Sequence, residues 1–141
     1  MQPMITMNEE SFALDTNILI YMESDDLHKR SIAETLLSFN PVISSQVISE
    51  FINVTRRLRN ISKRQIILEA ADLFRYCPIV PTDRAALDLA AFLIQRHDFQ
   101  IFDAIIIASA LEADCEILYS EDMHHGLIVE NRLRILNPFI Q

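Results

Sequence analysis

Four acidic residues stand where apolar segments end or begin. Asp15 follows Ser11-Phe12-Ala13-Leu14, and Glu50 comes soon after Pro41-Val42-Ile43-Ser44. Asp103 heads Asp103-Ala104-Ile105-Ile106-Ile107-Ala108, and Asp122 comes just after Ile117-Leu118-Tyr119. In an open parallel α/β sheet such positions converge on one edge, where ligands bind. Carboxylates gathered there repel one another unless a cation joins them. Carboxylate oxygens suit Mg2+ or Mn2+, and a centre of that kind points to phosphate chemistry.

Each acid has a plainer reading beside the chemical one. Asp15 opens Asp15-Thr16-Asn17, which sets a carboxylate, a hydroxyl and an amide at the end of an apolar strand; all three residue types also cap helices. Val47, Phe51, Val54 and Leu58 form one apolar stripe at about 100° per residue, and Glu50 lies about 60° from Val47, at its margin. Glu50 can therefore face a pocket beside the core or serve as an ordinary boundary residue. Asp103 shares a face with Ile106, Ile107 and Ala110 on a helix apolar nearly all round. A carboxylate there is costly unless paired or bound to metal, although the helix dipole and an N-cap role reduce the cost. In Ser120-Glu121-Asp122, alternation turns Ser120 and Asp122 one way and Glu121 the other if the strand geometry continues past Tyr119. His124 and His125 are adjacent and diverge on a helix, so they are not read as a metal pair.

The elements that must carry these residues alternate. A strand over 11–15 leads into a short helix over 16–22. Asp25 or Asp26 caps a helix over 27–38, with Leu27, Ile32, Leu36 and Leu37 turned inward. A strand at 42–43 precedes a helix capped by Ser44 or Ser45 and ending near Arg59. Further helices are expected over 62–76, over 84–97 (capped by Thr82 or Asp83) and over 103–113. Strands are expected at 79–80, 117–119, 127–129 and 133–136. Strands alternating with helices predict an α/β fold, a short-stranded, mainly parallel sheet covered on both faces.

The length of 141 residues fits one domain, and a hydrophobic content of 50% supplies a core. Residues 1–8 read as a loose tail. No segment approaches the roughly 20 apolar residues of a membrane span, and the first residues do not resemble a signal peptide. Cys77 and Cys115 show no zinc spacing and read as buried, reduced thiols of a cytoplasmic protein. A net charge of −8 argues against nucleic-acid binding through a generally basic surface. Arg56, Arg57, Arg59, Lys63 and Arg64 nevertheless form a local basic cluster.

Taken together, Ala13-Leu14-Asp15-Thr16-Asn17, Ser49-Glu50-Phe51, the segment from Phe102 to Ala110 and Tyr119-Ser120-Glu121-Asp122-Met123 resemble the PIN-domain ribonucleases, in particular the VapC toxins of toxin–antitoxin pairs. The likeness runs over residues 12–136. It implies an α/β/α sandwich in which Asp15, Glu50, Asp103 and Asp122 hold one or two Mg2+ or Mn2+ ions. It also implies that Thr16, Asn17 and Ser120 support them, with Glu121 a rival for the role of Asp122. The implied activity is hydrolysis of RNA to 5′-phosphate and 3′-hydroxyl ends, with an antitoxin as protein partner. The basic cluster then reads as a contact for RNA phosphates or as cations at a helix C-terminus. The apolar composition permits a homodimer.

Other classes compete less well. A haloacid-dehalogenase-type phosphatase needs a second Asp where Asn17 stands, and a receiver domain needs a late lysine, whereas Lys29 and Lys63 are both early. A non-catalytic RNA- or partner-binding module on the same fold, or a nuclease of RNA processing without a toxin role, are the alternatives.

Overall fold

A computed structural model of the chain describes residues 10–140. The tail read at 1–8 lies outside the described residues. Strands β1 (Phe12–Leu14), β2 (Ile43–Ser44), β3 (Ile79–Val80) and β4 (Ile117–Tyr119) are separated by helices, and β5 (Ile128–Val129) and β6 (Leu133–Leu136) follow β4 directly. The helices are α1 (Thr16–Ile20), α2 (Leu27–Leu37), α3 (Ser45–Arg59), α4 (Lys63–Leu73), α5 (Arg84–His97) and α6 (Ile101–Glu112). A 3₁₀ turn, Tyr21–Glu23, joins α1 to the loop before α2.

The sheet is mainly parallel, as expected. β1 pairs with β4 and β4 with β6, both parallel; β2 pairs with β3. A parallel bridge between Ala13 and Val42 joins the two groups, so the order across the molecule is β3-β2-β1-β4-β6-β5. β5 is the exception within this mainly parallel sheet and runs antiparallel to β6. Its connection explains this: a short link cannot make the crossover that a parallel pair requires. Glu130 and Asn131 both take left-handed backbone, φ 52° and 57°, which is what a tight hairpin turn demands.

Local chemistry sets the helix ends. Asp26, Ser44, Ser62 and Asp83 accept backbone N–H groups at the starts of α2, α3, α4 and α5. Asn60 and Asp98 end α3 and α5 in left-handed conformation, which Asn and Asp tolerate better than branched residues. α6 is buried from Ala104 to Leu111 and packs along α5. Ile18, Ile43, Val47, Ile107, Leu118 and Ile135 meet in one core, each such side chain gaining about 1.5–3 kcal/mol on burial.

Two inward assignments are corrected. Leu27 is 67% exposed, because α2 turns Ala33 and Leu36 to the core and its first turn runs past the core's edge. Leu58 is 68% exposed; Thr55, one turn earlier, is the last buried residue of α3. Cys77 and Cys115 are buried and free.

Candidate active site

Strand pairing brings the first polar group into place. The Asp15 N–H donates to the Tyr119 carbonyl at 2.9 Å, so the pairing with β4 persists one residue beyond β1. Asp15 thereby lies beside Ser120 at the carboxyl ends of central parallel strands. One carboxylate oxygen of Asp15 accepts the Thr16 N–H at 2.7 Å and so caps α1. The other accepts the Ser120 hydroxyl at 2.7 Å and the Asn17 side-chain amide at 3.2 Å. Capping and a place in the acidic cluster are therefore compatible roles for this residue.

Asp15 is only 6% exposed. Burial pushes its pKa up to about 6; hydrogen bonds from Ser120 and Thr16 oppose the rise, and the charges of Asp103 and Glu50 add to it. A buried carboxyl facing two other acids is a site prepared for positive charge.

Glu50 arrives on α3, whose start is fixed by the Ser44 hydroxyl accepting the Val47 N–H at 3.1 Å. The Thr16 hydroxyl donates to Glu50 Oε1 at 2.7 Å, and Gln46 Nε2 donates to Glu50 Oε2 at 3.2 Å. Thr16 thus links two acids, touching Asp15 through its backbone and Glu50 through its side chain. Gln46 was not singled out in the sequence; its signal is the i,i+4 spacing from Glu50 on one helix.

Asp103 does not cap α6. The helix starts two residues earlier than expected, at Ile101 with Gln100 before it, so Asp103 belongs to the first turn. It is half-buried, and burial first, then the charges of Glu50 and Asp122, push its pKa up. Asp103 is the acid that senses both the α3 side of the cluster and the β4 side.

Asp122 is exposed and accepts the Asn17 amide at 3.2 Å. Glu121 points elsewhere: the Tyr21 hydroxyl donates to one of its oxygens at 2.7 Å and Lys29 Nζ to the other at 2.7 Å. The adjacent acids are thus divided, Asp122 toward Asn17 and Glu121 toward Lys29. Although burial favours its neutral form, the Lys29 and Tyr21 hydrogen bonds hold Glu121 below its ordinary pKa.

Asn17 is the crosspiece. Its Oδ1 accepts the Glu121 N–H at 3.1 Å, which turns Nδ2 toward Asp15 and Asp122. Ser120 Oγ also accepts the Met123 N–H at 3.3 Å, closing the turn that carries Asp122.

The structure therefore gathers Asp15, Glu50, Asp103 and Asp122 from the ends of β1 and β4 and from helices α3 and α6, with Thr16, Asn17 and Ser120 between them. Among the described residues no three acidic, His or Cys side chains close into a preformed metal cage. The donors are nonetheless all carboxylate oxygens in mutual repulsion, which a hard divalent cation relieves. His125 Nδ1 accepts the Asn137 N–H at 2.9 Å and acts as a structural acceptor.

The basic cluster divides. Arg59 pairs with Glu23 and Glu69, and Arg56 donates to the Ile61 carbonyl at 3.3 Å. Arg57, Lys63 and Arg64 are exposed. A groove of about 490 Å³, lined by Leu19, Tyr21, Met22, Phe51, Leu58 and Leu73, with Arg59 and Glu69 also in its wall, opens between the α1 end and α3–α4. Phe51 in its wall follows Glu50, so the groove and the acidic cluster share α1 and α3.

The fold is similar to several solved structures. A toxin–antitoxin complex from Klebsiella pneumoniae contains a chain matching at a TM-score of 0.67 and 21% identity, covering 91% of this chain and 98% of that one. The sarcin–ricin-loop-cleaving toxin VapC20 of Mycobacterium tuberculosis matches at 0.62 and 19% identity, over 79% of this chain and 90% of that one. FitAcB of Neisseria gonorrhoeae matches at 0.62 and 16% identity, over 91% and 98%. Comparison with curated protein sequences yields no match. The sequence profile of the PIN domain matches residues 12–126, and the chain belongs to the PIN domain family.

Proposed function

We propose that this PIN domain is a divalent-metal-dependent endoribonuclease and the toxin of a toxin–antitoxin pair. The observation that carries the reading is the gathering of Asp15, Glu50, Asp103 and Asp122 at one sheet edge, where burial and mutual repulsion raise the pKa of Asp15 and Asp103. Those four residues would hold Mg2+ or Mn2+. A bound ion supplies the positive charge that activates water against a phosphodiester and steadies the leaving oxygen.

The chain's own side chains organise the centre. Thr16 and Gln46 occupy both oxygens of Glu50 and fix its rotamer. Ser120 and Asn17 hold Asp15 and Asp122 in register. No side-chain nucleophile is required, and hydrolysis by water leaves 5′-phosphate and 3′-hydroxyl ends. Arg57, Lys63 and Arg64 offer exposed positive charge to the RNA backbone.

Two structural neighbours are described as toxin–antitoxin assemblies or toxins, which supports an antitoxin as partner here. The apolar groove suits a segment of that partner, because a chain seated along α1 reaches the acidic cluster and can place a basic side chain there. Exposed Leu87, Phe92, Ile101 and Phe102 supply apolar surface for a homodimer. No helix among the described residues is long and apolar enough to cross a membrane, consistent with work on cytoplasmic RNA.

The test is RNA cleavage by the purified chain with Mg2+, Mn2+ or EDTA, beside the Asp103→Asn protein. Cleavage that requires the ion and falls at least about 100-fold in the variant supports the reading. Equal cleavage by parent and variant removes it. A small neighbouring open reading frame whose product co-purifies with this chain identifies the antitoxin.

A further inference from the structure

Glu121 is held by more than an exposed ion pair. Lys29 Nζ also donates to the Tyr21 hydroxyl at 3.2 Å and lies 4.5 Å from the Tyr21 ring centre and 5.3 Å from that of Phe139. The two rings meet edge-on at 5.0 Å. The Lys29 and Glu121 side chains are 28% and 23% exposed, against 44% and 56% for Arg30 and Glu34, whose contact is a loose 3.9 Å. A pair with two short bonds to one carboxylate and an aromatic floor fixes geometry, whereas the exposed pair does not.

That geometry passes directly to the acidic cluster. The Glu121 N–H is the donor that orients Asn17, and Asn17 in turn holds Asp122 and Asp15. Ser120, on the other side of Glu121, donates to Asp15. A segment of three residues therefore has its middle side chain locked on one face and its two neighbours committed to the other.

We propose that Lys29 is a positioning residue for the acidic centre, locking Glu121 against Tyr21 and Phe139 so that the Glu121 backbone N–H fixes Asn17 and Asn17 fixes Asp122. The inference rests on the divalent-ion reading above. Lys29 also keeps the Glu121 carboxylate from competing with Asp122 for the ion.

The test measures Mn2+ binding by calorimetric titration, and the side-chain amide signals of Asn17 by NMR without metal, for the parent, Lys29→Met, Lys29→Arg and Glu121→Ala chains. Lys29→Met is expected to weaken Mn2+ binding roughly tenfold, the lower end of what groups behind metal ligands contribute. It is also expected to move or broaden the Asn17 amide signals, while Lys29→Arg recovers part of both. Glu121→Ala frees the same segment from the other side and decides the matter if Lys29→Met does not fold. Unchanged Mn2+ affinity and Asn17 signals in a folded variant, with a lower Tm only, overturn the positioning role. A parent chain that binds no Mn2+ overturns the divalent-ion reading, whatever the variants do.

Discussion

The Asn17 side-chain amide lies 3.2 Å from an Asp122 oxygen contributed from 105 positions further along the chain, and the same nitrogen is 3.2 Å from Asp15. One neutral donor is shared by two carboxylates, and its orientation is set by the Glu121 N–H on the opposite side of the amide.

Asn17→Ala should therefore loosen Asp122 without emptying the core, since Asn17 is only half-buried. RNA cleavage is expected to fall roughly 10- to 100-fold, with a higher Mg2+ requirement. A metal titration of cleavage rate checks this, and an unchanged midpoint would remove Asn17 from the support of the centre.

Thr16 provides a sharper comparison, because its hydroxyl donates to Glu50 at 2.7 Å while its methyl group is not needed for that bond. Thr16→Ser should retain most of the activity and metal affinity. Thr16→Val keeps the shape, loses the donor and leaves a Glu50 oxygen unpaired, a change worth about 1–3 kcal/mol of misplacement or instability. Equal behaviour of the two variants in denaturant unfolding and cleavage would argue against the bond.

Asp15 predicts a pH dependence of known sign. Its ordinary pKa is 3.8 and burial raises it to about 6 in the folded chain. Between those values the folded state retains a proton that the unfolded chain has released, so this group's contribution to stability falls as pH rises through the window. The loss reaches about 3 kcal/mol above pH 6. Without metal, Asp15→Asn should gain on the parent between pH 4 and pH 7, and saturating Mg2+ should restore the parent alone. Urea unfolding at several pH values measures the difference; a flat difference across the window would contradict the assignment.

The basic cluster should separate into two phenotypes. Charge reversal at Arg57 or Arg64 is expected to weaken RNA binding and lower its salt dependence by about 0.7 in log–log slope per lost phosphate contact. Reversal at Arg56 should show the same slope change together with loss of its hydrogen bond to Ile61. Arg59→Glu should instead lower Tm, since it opposes Glu23 and Glu69. Fluorescence anisotropy of a labelled RNA over a salt series, with thermal unfolding of the same variants, distinguishes them.

Much of the architecture is legible in the chain because its signals are local. Ser44 and Asp83 cap helices through their own hydroxyl and carboxylate, whereas the helix expected to run to Tyr76 ends at Leu73, ahead of Pro78. The apolar run after Asp103 can only be a buried segment. Leu58 and Leu27 were misplaced because periodicity identifies a helix face but not where the core beneath it ends. The direction of β5 is undetermined for a related reason: two short apolar runs do not specify their mutual direction, which the left-handed turn at Glu130 and Asn131 decides.

The candidate site divides along the same line. Residue type and position at segment ends marked Asp15, Glu50, Asp103 and Asp122 as acids able to converge, but left Glu121 and Asp122 as rivals, because β4 ends at Tyr119 and strand alternation does not extend to them. The sequence by itself determined the chemistry on offer, oxygen donors at a sheet edge, because that depends on side-chain identity and short-range pattern. Only the tertiary structure decided that Lys29 and Tyr21 hold Glu121, that Arg59 is paired and that Asn17 joins Asp15 to Asp122. These are contacts between distant parts of the chain, and their partners are fixed by strand register and helix packing rather than by any spacing along it.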